Sequence, residues 1–255
     1  MYPIWYQTAQ HHFWYWPVST GMTVLFSVRT WGYRNVPRQG GLLVVANHQS
    51  FLDPVLIGMA VRRRLLYLAR KTLFANAFFS WLIQSFGAIP IDQEKPTTEG
   101  IRTALELLRQ QEAVVIFPEG ERTPHGQMQA LRPGVTLLVR RGQVPVLPIG
   151  IAGAFDVWPR HQPLPRLCPL WSTWSCCRGS GRTATEAKPS LPAPTATSHD
   201  TYSVTSAHRG IAVVVGEPIP YDQLKHLSHE AMLAQLTEVL HKVWQEAERR
   251  RLKCS

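Results

Sequence analysis

The sequence predicts an α/β domain: a mixed, largely parallel central sheet flanked by helices, with an aromatic N-terminal segment at a membrane interface. Three observations predict it. Leu42 to Ala46 and Ala113 to Phe117 are apolar runs of strand length, and each ends in a polar turn. Thr97 to Gln111 sets Ile101, Ala104, Leu105 and Leu108 at helical spacing and leads directly into the second run. A strand, a helix and a strand in that order imply a crossover and hence a mostly parallel sheet. The third observation is the load of Trp and Tyr within the first 30 residues.

Composition narrows the partners. The 255-residue chain carries a formal charge of +10. That balance favours an anionic partner: nucleic acid, an acidic membrane surface or a phosphorylated substrate. The nine tryptophans favour the membrane, because Trp concentrates at membrane–water interfaces. The basic residues are scattered over helix ends and tails with no recognition motif, so no nucleic-acid partner is expected. No stretch reaches the roughly 18 apolar residues needed to span a bilayer, and no signal peptide is visible. The expected place is the cytoplasmic face of the cell membrane, peripheral or monotopic. Cys168, Cys176, Cys177 and Cys254 fit no disulfide framework and read as reduced thiols.

The elements follow in order. Residues 1–30 hold Trp5, Tyr6, Phe13, Trp14, Tyr15 and Trp16, then Pro17 and an apolar Met22 to Val28. They read either as an interfacial anchor or as aromatics capping the domain's own core. Residues 31–255 form the main domain. Arg34 to Gly41 is a turn region with Pro37 and Gly40-Gly41. The strand Leu42 to Ala46 ends on Asn47-His48, and Asp53-Pro54 opens a helix through Val61. His48 and Asp53 stand at the two ends of this short turn. A carboxylate within reach of the imidazole would fix its tautomer, leaving the other ring nitrogen to take a proton from a hydroxyl. A plainer reading makes Asp53 a helix N-cap, with Pro54 at the first helical position. Arg62 to Arg64 suit a helix C-terminus.

Leu65 to Ala69 is a second strand, followed by the basic pair Arg70-Lys71. Ala75 to Phe86 is apolar and helical, as core or as the lining of a hydrophobic tunnel. Gly87 to Asp92 reads as a third strand and turn. After the strand Ala113 to Phe117 comes a turn with Pro118, Glu119, Gly120 and Arg122. Two such turns at the carboxyl ends of parallel strands lie where ligands bind in this kind of sheet.

Together, Asn47-His48-Gln49-Ser50-Phe51-Leu52-Asp53 and Phe117-Pro118-Glu119-Gly120-Glu121-Arg122-Thr123 resemble the glycerolipid acyltransferase family, most closely its bacterial 1-acyl-sn-glycerol-3-phosphate branch. The resemblance implies transfer of a fatty acyl group from a thioester, on coenzyme A or acyl carrier protein, to the free hydroxyl of lysophosphatidic acid. It implies no cofactor and no metal. His48 is then the general base and Asp53 its support. Lys71 and Arg122 hold the phosphate, Glu119 lies on the hydroxyl side, and Asn47 and Gly120 belong to the binding site. Gly120, with no Cβ, would let backbone N–H groups meet a ligand and the oxyanion. The family often has an arginine where Gln93 stands, so Lys71 and Arg122 carry more of the phosphate load here.

A helix is expected from Arg132-Pro133-Gly134 through Arg141, then a strand from Val144 to Ile151. Its prolines suit an edge or a strand start. In the resembled family a proline here shapes the acyl-donor side, and either Pro145 or Pro148 fits. Residues 166–209 turn to Ser, Thr, Pro, Gly and Ala and read as a flexible insertion, longer than the family's usual gap. Its Cys168, Cys176, Cys177, His199 and His208 match no zinc-ligand spacing. Gly210 to Gly216 is a β run, and Ser228 to Leu252 an amphipathic helix. Three other functions compete. One is hydrolysis with Ser50 as nucleophile, though no Gly-x-Ser-x-Gly elbow surrounds it. The others are acyl transfer to another lysophospholipid or glycerol phosphate, and a non-catalytic basic lipid-binding module.

Overall fold

The computed structural model describes residues 4–91, 96–162, 164–167 and 210–253. Its centre is β2 (Leu42–Ala46), buried along its whole length. Leu42, Val44 and Ala46 enter the core on one face of the sheet, Leu43 and Val45 the core on the other. An apolar residue at every position is what a parallel strand covered on both sides requires. The seven-stranded sheet runs β1 (Val28–Trp31), β7 (Ile211–Val215), β6 (Val146–Ala152), β2, β5 (Ala113–Ile116), β3 (Leu66–Arg70) and β4 (Ala88–Ile91). Only β6 and β7 pair antiparallel.

Helices cover both faces. One core takes residues from α1 (Ile4–Phe26), α2 (Asp53–Val61) and α6 (Ala154–Val157). The other takes them from α4 (Pro96–Arg109), α5 (Gly134–Gly142), α7 (Tyr221–Leu224) and α8 (His229–Lys253). α3 (Ala77–Ser85) lies between β3 and β4 in the chain. α8 crosses β6 so closely that a Cβ on Gly150 would stand 2.5 Å from the Val243 backbone. Since β2, β3, β5 and β6 all run the same way, the loops leaving them gather at one edge of the sheet. The chain makes β2, β3 and β4 first, and β5 then enters between β2 and β3. That insertion puts the two polar turns side by side.

Several expectations change. β6 is interior rather than an edge, although Pro148 lies inside it opposite Val45. The proline is tolerated because the β7 side of β6 is bulged there. Val146 bridges to Ile219 and Ile149 pairs with Val215, leaving two residues of β6 against three of the other strand. Asp53 is the first residue of α2 and not its cap; Leu52 holds the cap position without a side-chain bond. Beyond α2, Arg63 donates to the carbonyls of Pro37 and Gly40, and Arg64 to Glu112, so both serve loops rather than the helix end.

In α1, Met22 and Phe26 pack on the core, while Trp16 is 73% exposed. Among the described residues no helix is long and apolar enough to cross a membrane. Asp92, Gln93, Cys168, Cys176, Cys177, His199, His208 and Cys254 lie outside the described residues, as does the insertion from 168 to 209.

Candidate active site

The loop after β2 is held from three sides. Asn47 extends the β2–β6 pairing with its side chain: its amide N–H donates to the Ile151 carbonyl at 2.9 Å, and its carbonyl accepts the Ile151 N–H at 2.8 Å. It is fully buried and pairs with the Ile151 backbone, which ties the His48 loop to β6. The His48 N–H donates to Glu119 Oε1 at 2.8 Å, and the His48 carbonyl accepts the Thr123 N–H at 2.9 Å. The His48 ring stacks on Phe117, with centroids 4.0 Å apart and planes 16° from parallel.

Asp53 closes the turn from within. Its fully buried carboxylate takes the Gln49 N–H at 2.6 Å and the Ser50 N–H at 2.8 Å on Oδ2. The same oxygen lies 2.7 Å from His48 Nδ1. Three donors on one charged oxygen, away from water, form a strong and directional set. With Nδ1 turned to Asp53, Nε2 is the nitrogen left to face a hydroxyl, and the His48 side chain keeps 20% of its surface open. Ser50 cannot act as a nucleophile in this arrangement. It is fully buried, donates its hydroxyl to the Trp158 carbonyl at 2.8 Å and accepts the Leu52 N–H.

The loop after β5 supplies the other wall. Glu119 is buried, and its second oxygen accepts the Gln129 N–H at 2.9 Å. Its carboxyl is pushed up to about 7, chiefly by burial and also by the charge of Asp53, against the two N–H bonds that favour the ionised form. Glu119 therefore ties the two loops together, in place of the expected contact on the hydroxyl side. Gly120 also takes an unexpected part. Its N–H is bonded to the Phe117 carbonyl, so it is not offered to an oxyanion. Its backbone is left-handed at φ +79°, and the space a Cβ would fill holds the Arg132 guanidinium. Arg132 is exposed and donates from Nε to the Glu119 carbonyl. Gln49 Oε1, Asp53 Oδ1 and Gln129 Nε2 are buried here without a hydrogen-bond partner among the described residues. The site thus holds polar capacity that the fold itself does not use.

Arg122 turns toward the His48 loop, with Cζ 3.4 Å from the centre of the Phe51 ring. The histidine loop and the arginine loop are therefore one surface. Lys71 is exposed at the start of the turn after β3, the strand next to β5, and so stands on the same edge. Pro148 lies in β6 two register positions short of Asn47. Pro145 sits at the start of β6, where its carbonyl accepts the Leu43 N–H, at the opposite edge from His48. Phe51, Phe117, Gln129, Arg132 and Trp158 were not legible as site residues. Phe51 and Phe117 carried a signal, their places inside the two sequence blocks.

A buried carboxylate in contact with a histidine, and a neighbouring loop that carries Arg122, meet at the carboxyl edge of the parallel strands and form the candidate active site. Residues 27–152, just under half of the chain, match the family model described as Acyltransferase. It is similar to the 1-acyl-sn-glycerol-3-phosphate acyltransferase of Bacillus subtilis, 28% identical over 127 residues, which cover 49% of this chain and 63% of that protein. The enzyme of the same name from Pseudomonas aeruginosa is 31% identical over 141 residues, covering 51% and 50%. The chain spans about half the length of the curated relatives it matches. In three dimensions it resembles the 1-acyl-sn-glycerophosphate acyltransferase PlsC of Thermotoga maritima. The TM-score is 0.62 at 20% identity, covering 94% of this chain and 78% of that one, a likeness of fold.

Proposed function

We propose that the protein transfers a fatty acyl group from an acyl thioester to the free hydroxyl of 1-acyl-sn-glycerol 3-phosphate, giving phosphatidic acid for phospholipid synthesis. The observation that carries this reading is the 2.7 Å contact between His48 Nδ1 and a fully buried Asp53. The acceptor hydroxyl gives its proton to His48 Nε2 as its oxygen attacks the thioester carbonyl. The tetrahedral intermediate collapses with release of the thiol, which recovers the proton. Asp53 holds the ring and stabilises the imidazolium, a contribution on the order of a hundred- to ten-thousandfold in rate for a well-placed base. Arg122 and Lys71 hold the phosphate and with it the hydroxyl, converting a collision into a positioned encounter. Neither step calls for a metal or a prosthetic group. The donor's carrier is coenzyme A or acyl carrier protein. The exposed Trp16 and the +10 charge support work on an anionic membrane surface, at the cytoplasmic face.

Release of free thiol from an acyl thioester, with and without lysophosphatidic acid, tests the reading. Acceptor-dependent release is expected in the natural protein and should fall at least about a hundredfold in His48→Ala. Release that ignores the acceptor would replace this reading with hydrolysis, and wild-type rates in His48→Ala would remove the base. Arg122→Ala should mainly raise the apparent KM for the acceptor.

A further inference from the structure

Phe51 combines features that folding alone does not explain. Its neighbours Ser50 and Leu52 are buried, yet its ring is 45% exposed. The Arg122 guanidinium lies over that ring at 3.4 Å. A guanidinium is planar and weakly hydrated, so an aromatic face is a favourable rest for it. The ring itself is braced. Phe51 leans on Trp158, with centroids 5.2 Å apart and planes tilted by 47°. Trp158 is fixed by its indole N–H on the Gln162 carbonyl at 3.0 Å, and its own carbonyl accepts the Ser50 hydroxyl. A rigid shelf therefore projects from the same six-residue turn that carries His48 and Asp53, and the arginine of the other loop rests on it.

We propose that Phe51 is a positioning residue for the acceptor: its ring, backed by Trp158, sets the guanidinium of Arg122 at a fixed place beside His48, so that a phosphomonoester gripped there presents its neighbouring hydroxyl to the imidazole. The proposal rests on the reading of Arg122 as the phosphate-binding group. The length of acceptor between phosphate and hydroxyl is then measured against a distance built into one turn. Without the ring, a long arginine side chain samples many positions, and ordering it again at each encounter weakens acceptor binding.

The test is a cycle of variants read by acceptor kinetics. Phe51→Leu retains an apolar side chain at a half-exposed position, and thermal unfolding checks that it folds. Phe51→Tyr retains the ring. Phe51→Leu should raise the apparent KM for lysophosphatidic acid roughly fivefold or more, with kcat changed less, and Phe51→Tyr should stay within about twofold. In an Arg122→Ala background, Phe51→Leu should add less than about twofold, because two groups acting as one unit are not additive. An unchanged KM in Phe51→Leu overturns the proposal. So does an equal rise in both backgrounds, which would make Phe51 a contact of its own with the lipid. If Arg122→Ala raises KM while Phe51→Leu is silent, only the shelf is refuted. If Arg122→Ala leaves KM unchanged, the phosphate reading falls and the shelf with it.

Discussion

At the scale of single residues, two buried carboxyl groups stand within one site and do different work. Asp53 collects two backbone N–H groups and the His48 ring on one oxygen. Asp53→Ala therefore removes two things at once. Acyl transfer should be lost, and unfolding by denaturant should show a cost of about 2–5 kcal/mol from N–H groups left buried without an acceptor. Asp53→Asn keeps an acceptor of the same shape, so it should lose most of the rate with little loss of stability. Comparing the two separates orientation of the base from integrity of the turn.

Glu119 differs because burial raises its carboxyl from 4.5 to about 7. The folded protein therefore holds a proton between those values that the unfolded chain has released. This stabilising contribution is fully present below about pH 4.5 and is lost as pH rises through 7. Glu119→Gln cannot titrate, so the difference in stability between it and the natural protein should shift toward the variant from pH 5 to pH 8, by on the order of 2 kcal/mol. Melting curves across that range check it; parallel pH profiles would mean that Glu119 does not titrate there.

At the scale of elements, what repeats along the chain was legible and what bridges it was not. β2, β5, α4 and α8 declared themselves through apolar period, and their observed bounds differ from expectation only at the ends. The His-x4-Asp turn was legible because its two partners are close in sequence. Glu119 as a tie was not, because a carboxylate bonded to the N–H of a residue 71 positions away leaves no periodic trace. Pro148 misled for a related reason: its missing N–H falls at a bulge that only the partner strand reveals. Asn47 belongs here too. It continues the β2–β6 ladder by one side chain. Asn47→Ala should cost about 2–4 kcal/mol, since it leaves a buried N–H and a buried carbonyl of Ile151 unpaired. Chemical denaturation measures that loss directly. Asn47→Asp should fare no better, because one of its oxygens would face the Ile151 carbonyl.

At the scale of the whole molecule, α1 is joined to the domain through its second half. Its second half cannot be removed without harm, since Met22 and Phe26 pack on the core and Tyr15 donates to the Met59 carbonyl. A deletion for testing membrane attachment must therefore stop short of Tyr15. Removing residues 1–13 should lower retention on anionic vesicles about tenfold. Unaltered retention would assign attachment to the rest of the surface.

The late entry of β5 between β2 and β3 also bears on how the chain matures. A nascent polypeptide that has not yet reached residue 113 already carries His48 and Asp53 but lacks Arg122. It also displays a vacant slot flanked by greasy, unpaired strand edges, the kind of surface on which chains stick to one another. Pairing of β5 closes that slot and brings Arg122 to the His48 loop in the same event, while the other edge of β2 waits for β6.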